Sequence, residues 1–289
     1  MMKKFMMSML LIILSGSAFA QSSVWKVSSG DSSLYLGGTI HVLRESDYPL
    51  PDEYNNAYSH SGTIIFETDI GILDDPDIAQ KIMADGLYSD GNSLKTILDP
   101  SVYRKLKDTL AEYQIPIESV KYFKPGMLVS TLNALSYGNT EAVTGGVDFY
   151  FYSKSLADKK KMKYLETVDV QIKALMNMGI GDENEFILYS LQDLDKNEEN
   201  LSLLIDEWRH GENTFMEESL HELEADFRGT YVNMVVKRNE LWMKKIRKYI
   251  QTDEVEFLLF GTLHLHGRDG LLRQLRDEGF TIEQVILQQ

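Results

Sequence analysis

Two short segments of this chain nearly copy each other, and each ends in histidine: Gly38-Thr39-Ile40-His41 and Gly261-Thr262-Leu263-His264. The first follows the apolar run Leu34-Tyr35-Leu36, the second Phe257-Leu258-Leu259-Phe260. Each reads as a short strand, a glycine that lets the backbone turn, and an imidazole delivered just past the strand end, where α/β proteins keep their chemistry. The chain has six histidines, so two in one pattern weigh heavily. If the two strands are neighbours in one sheet, both imidazoles face one cleft. A third run, Thr63-Ile64-Ile65-Phe66, delivers Glu67 in the same manner. Two imidazoles and a carboxylate suit a borderline divalent metal with open positions for water and substrate. Such an ion would lower the pKa of bound water and polarise a carbonyl. The metal set expected from spacing and donor type is therefore His41, Glu67 and His264. The plainer alternatives are a hydrogen-bonded turn for either histidine and an ion pair or cap for Glu67.

Further residues could support that chemistry. Glu166, past the brief run Lys163-Tyr164-Leu165, suits a general base or a structural partner of a basic side chain. Arg238, on an otherwise apolar helical face, is by default a snorkelling surface residue; aimed into the cleft it would stabilise an oxyanion. Asp69 is a loop-start cap or an orienter of an imidazole. His266 is a weak extra ligand two residues beyond His264, and His60, His210 and His221 lie in polar, surface-like contexts. No nucleophile elbow, phosphate loop, His-Glu-x-x-His helix or dinucleotide fingerprint is present.

The elements that must position these groups follow from patterning. Val24 to Ser28 and Ser33 to Leu36 read as a hairpin about Ser29-Gly30-Asp31, and Val255 to Phe260 and Thr281 to Leu287 as late strands. Pro51, Pro76, Pro100 and Pro125 each open a helix, and Gly145-Gly146 breaks the chain before another from Asp148 to Ala157. From Val170 to Arg247 the pattern is helical, with a charged middle. The expected fold class is α/β: a central β-sheet carrying the two G-x-x-H motifs at strand ends, flanked by helices, with a largely helical middle segment.

The first twenty residues read as a signal peptide, with Lys3 and Lys4 before an apolar stretch and Ala18-Phe19-Ala20 as the cleavage site. That predicts an exported product, periplasmic or secreted, with residues 21–289 as the mature domain and no integral membrane segment. Cysteine is absent, which excludes disulfides, thiolate ligands, a cysteine nucleophile and a lipidated N-terminal cysteine. With 44 acidic against 29 basic residues, the chain is a poor partner for nucleic acid or anionic membrane.

These motifs together resemble the TraB/GumN family of exported bacterial proteins, which is related to the Tiki metalloproteases and more remotely to erythromycin esterases and haem-binding ChaN-like proteins. The resemblance runs through Gly38 to His41, Phe66-Glu67-Thr68-Asp69, Gly146-Val147-Asp148 and Tyr164-Leu165-Glu166-Thr167. It continues in Arg238-Asn239 before Trp242, and in Gly261 to His264 running into Gly267-Arg268-Asp269-Gly270-Leu271-Leu272. It implies an active site of His41, His264 and Glu67, with Arg238 and Glu166 in support, and a divalent metal (manganese or cobalt, with zinc as a third candidate). The leading expectation is a metal-dependent hydrolase of amide or peptide bonds acting on a peptide or small molecule. The alternatives are a haem-, metal- or peptide-binding protein, to which fifteen tyrosines offer axial ligands, and a metal-free esterase with histidine as general base.

Overall fold

The computed structural model describes residues 20–138, 142–194 and 196–287. All of the expected signal segment except Ala20 lies outside them. Eight strands are present among these residues: β1 (Ala20–Ser29), β2 (Ser32–Thr39), β3 (Val42–Arg44), β4 (Thr63–Phe66), β5 (Ala142–Thr144), β6 (Lys161–Tyr164), β7 (Glu256–Gly261) and β8 (Thr281–Leu287). Six of them form one sheet in the order β6-β4-β7-β2-β1-β8, and β3 pairs with β5 separately. The expected hairpin forms, with Trp25 opposite Leu36 and Ser28 opposite Ser33. The small β3–β5 ribbon escaped the sequence reading because three-residue strands carry no usable periodicity.

The neighbours β6, β4, β7 and β2 all run parallel. β7, late in sequence, fills the place between β2 and β4, and so brings the two G-x-x-H motifs side by side with Gly38 opposite Phe260 and Thr39 opposite Gly261. The inner parallel strands β4 and β7 are covered on both faces, which is why these runs of four and six residues are almost continuously apolar; β6, at the sheet edge, carries Lys161 and Lys163. Ile64, Phe66, Phe257 and Leu259 pack on one side against Tyr54, Phe151 and Trp208. Ile65, Leu258 and Phe260 pack on the other against Trp242, Ile246 and Leu275. The alternation follows from the two-residue period of a strand. A separate helical core, which includes Leu106, Leu110, Leu128 and Ile187, holds the middle segment together.

The helix Lys237–Tyr249 lies against the second face and buries Asn239, Trp242, Met243 and Ile246. It is entered through one π-helical stretch, Val232–Val236. Such wide turns rotate the following residues about the helix axis and recur at functional sites. Here the rotation precedes Arg238 directly.

Candidate functional site

Four parallel strands end on one edge, and each delivers a polar side chain past its last residue: Glu166 after β6, Glu67 after β4, His264 after β7 and His41 after β2. The ladder persists briefly beyond the strands, with Glu166 N–H donating to the Glu67 carbonyl at 2.8 Å. His41, Glu67, Arg238, Gly261 and His264 line a common cleft of about 970 Å³. Of the expected site residues only Glu166 lies outside its lining.

Arg238 organises the cluster. Its Nη2 donates to Glu67 Oε2 at 2.5 Å and to Glu166 Oε1 at 2.7 Å. Its Nε donates to Glu166 at 3.0 Å, and its Nη1 approaches His264 Nε2 at 3.0 Å. Far from snorkelling at the surface, Arg238 is 4% exposed and stacks over the Trp242 ring. Trp242 Nε1 also donates to Glu166 Oε2 at 2.9 Å. Glu166 is therefore paired with Arg238, a basic partner of the kind one of its two sequence readings named. Burial pushes its carboxyl upward while Arg238 and Trp242 pull it down.

Glu67 is held on both oxygens. Oε1 accepts the Gly261 backbone N–H at 2.6 Å, and Oε2 accepts from Gln171 Nε2 at 3.0 Å as well as from Arg238. Burial would raise its pKa, but Arg238, the two histidines and the Gly261 N–H outweigh it and hold the carboxyl down at about 2. His264 is 2% exposed and sits in a 3₁₀ turn, Thr262–His264, beyond the strand. Burial and the adjacent Arg238 push its imidazole down to about 3. Its Nδ1 meets Asn239 Oδ1 at 2.7 Å, so the neutral ring carries its proton on Nδ1 and accepts from Arg238 through Nε2.

His41 differs from its twin. Its side chain is 63% exposed to the cleft, and Nδ1 meets Asp148 Oδ2 at 2.8 Å. The Asp148 carboxylate raises the imidazole to about 9, burial opposing. Asp148 arrives on the helix Gly146–Ala157, whose start is docked on the backbone of the first motif: Gly145 N–H donates to the His41 carbonyl and Val147 N–H to that of Ile40. Gly146 has φ of +41°, and a Cβ there would lie 1.9 Å from the Ile40 carbonyl oxygen, so only glycine permits this approach.

The glycines of the duplicated motifs serve space rather than turning, contrary to expectation. A Cβ on Gly38 would meet Thr262 and Leu265 at 2.9 Å. One on Gly261, whose φ is −48°, would lie 3.3 Å from Glu67 Oε1, 3.8 Å from His41 Nε2 and 3.9 Å from His264 Cδ2. The empty position above Gly261 is thus the point on which the three expected residues converge.

A divalent ion does not fit these donors as arranged. Among the described residues, no three His, Asp or Glu side chains are placed to hold one. The Nε2 of His264 and both oxygens of Glu67 are engaged by Arg238, Gly261 and Gln171, so a guanidinium cation stands where the expected ion would bridge them. Among the described residues of the lining, His41 alone presents to the cleft a ring nitrogen without a hydrogen-bond partner. Asp69 caps the 3₁₀ turn Ile70–Ile72 through Gly71 N–H at 3.0 Å, and His266 lines a separate cavity beside Trp25. His60, His210 and His221 are exposed. Asp148, Asn239 and Gln171 were missed as site residues; Gly146-Val147-Asp148 and Arg238-Asn239, as parts of the family pattern, pointed toward the first two, and no motif pointed to Gln171.

The sequence profile of the TraB/PrgY/gumN family matches residues 23–284. The chain belongs to that family. A stretch of 75 residues is 39% identical to a protein of Danio rerio described as Metalloprotease TIKI2, covering 25% of this chain and 14% of that protein. No solved structure matches. Among the described residues no helix is long and apolar enough to cross a membrane.

Proposed function

We propose that the cleft hydrolyses an amide or peptide bond, with His41 moving the proton and Asp148 holding His41. The observation that carries this reading is the His41–Asp148 pair, whose free Nε2 faces the empty position over Gly261. When His41 is neutral, Asp148 keeps the proton on Nδ1 and leaves the Nε2 lone pair for a water. The water oxygen attacks the carbonyl carbon as its proton passes to Nε2. Collapse of the tetrahedral intermediate then breaks the C–N bond, and the leaving amine takes that proton. Four N–H groups of Arg238 have acceptors among the described residues, so one Nη1 N–H remains to meet the developing oxyanion. Glu67 and Glu166 fix that guanidinium in place and offset its charge.

The description of the Danio rerio relative as a metalloprotease favours a second reading, metal-assisted hydrolysis, in which Arg238 would have to release Glu67 and His264. Cleavage of a peptide library by wild type and by His41→Ala, with chelator and with added manganese, cobalt or zinc, separates the two. The dyad reading expects turnover that survives chelation and falls about 10²- to 10⁴-fold without His41. Turnover that needs added metal would overturn it. The protein is further proposed to be exported and to begin at Gln21; N-terminal mass spectrometry of protein from the periplasm or medium tests this. β1 spans Ala20–Ser29, so cleavage before Gln21 would remove its first residue, with the Ala20–Leu287 pairing, and keep the other nine.

A further inference from the structure

Beyond the reacting groups, the cleft is walled by apolar side chains, and its charged lining is already committed. Glu67, Arg238 and His264 bind one another, and Asp148 binds His41. Among the described residues Asp74 is the one other charged residue of the lining, and they offer no cluster of charges for a phosphate or a sugar acid. Instead Ile172, Leu175, Met176 and Met234 form the inner wall. Methionine is unbranched and polarisable, and fits apolar groups of varied shape. At the mouth the lining residues Phe149 and Leu73 are 58% and 45% exposed. Ile72, beside Leu73 in sequence, is 38% exposed. Large apolar side chains gathered at the rim of one cleft mark a binding surface. A volume near 970 Å³ lies at the upper end for small-molecule pockets and has room for a short extended segment.

Phe149 is singular among these residues. It follows Asp148 directly, so the residue that holds His41 also fixes where this exposed ring stands relative to the reacting centre. Gly145, at φ +104°, makes room for it: a Cβ there would lie 2.7 Å from the Phe149 Cβ.

We infer that the substrate is an extended, uncharged peptide segment with a large apolar side chain beside the bond that is cut, and that Phe149 and Leu73 set this preference. The peptide class and the cut bond rest on the hydrolase reading; the apolar preference rests on the lining itself. Binding is therefore measured on His41→Ala protein by calorimetry. The probes are N-acetylated pentapeptide amides built from Leu and Phe, from Lys, or from Glu, with laurate as a separate arm. Turnover of the same peptides is measured on the wild type. The Leu/Phe peptide is expected to bind at least tenfold more tightly than either charged one. Phe149→Ser and Leu73→Asp, both at exposed positions that leave the core alone, should each weaken it about tenfold. Equal binding of all peptides, no effect of the two rim variants, or saturable binding of laurate without the peptides would overturn the inference. Tight apolar-peptide binding without turnover by the wild type would instead defeat the hydrolase reading and leave this one standing. Should His41→Ala not fold, the ratio of wild-type kcat/KM values for the apolar and charged peptides decides the question.

Discussion

Replacing Asp148 by Asn should lower the pKa of His41. Asp148 Oδ2 lies 2.8 Å from Nδ1, which places the charge centres of the pair about 4 Å apart; their attraction is then about 1 kcal/mol in water and about 4 kcal/mol at an effective dielectric near 20. At 1.36 kcal/mol per unit this corresponds to about one to three units. Because the His41 side chain is 63% exposed, solvent screens part of the pull, and a fall of about one to two units is expected. The direct assay is NMR titration of the imidazole carbon-bound protons, with the His41 resonance identified by its loss in His41→Ala. With wild-type His41 raised to about 9, activity on any peptide substrate should climb toward alkaline pH, and in Asp148→Asn that limb should move to lower pH. The stability consequence has a definite sign. A raised histidine stabilises the fold below its unfolded pKa of about 6.5 and loses that contribution as pH rises through about 9, so Asp148→Asn should cost stability near pH 6 and little near pH 10. A wild-type His41 that titrates near 6.5, unchanged by the Asn substitution, would refute the reasoning.

Gly261→Ala should fold normally, since φ is −48°, yet lose peptide binding and turnover by at least tenfold because its methyl group fills the space among Glu67, His41 and His264; calorimetry beside a urea melt checks both halves. Arg238→Ala should destabilise the protein by about 3–5 kcal/mol at neutral pH, because two carboxylates are left facing each other in a buried site. That loss should shrink toward about pH 4, as the freed carboxyls, now raised, take up protons, and urea denaturation at the two pH values reads it. His264, pushed down to about 3 from 6.5, opposes folding as pH falls below about 6.5, so the urea midpoint of His264→Gln should fall less steeply between about pH 7 and 4.5 than that of the wild type.

Where the polar side chains leave the sheet was legible because the information is local. A parallel strand buried on both faces must be a short apolar run, so the first acid or imidazole after it marks the edge; Glu67, His41 and His264 were found this way, and β2, β4 and β7 are where the runs placed them. Register could not be read, since it depends on β7 returning between β2 and β4 from nearly two hundred residues away, and only that crossover sets the two histidines side by side. The roles of the side chains were less legible still. Arg238 reads as a snorkelling surface arginine, the default for an arginine on an apolar helical face, and nothing in the sequence announces the π turn that precedes it. Once it is inside, charge balance decides the rest. One guanidinium buried beside two carboxylates engages acceptors of Glu67, Glu166 and His264, which keeps the His264 imidazole neutral. It leaves His41, held by an aspartate 107 residues away, as the imidazole with a nitrogen to spare. Two copies of one motif therefore take opposite electrostatic roles because their third partners differ, and those partners lie on helices that no spacing rule connects to the motif.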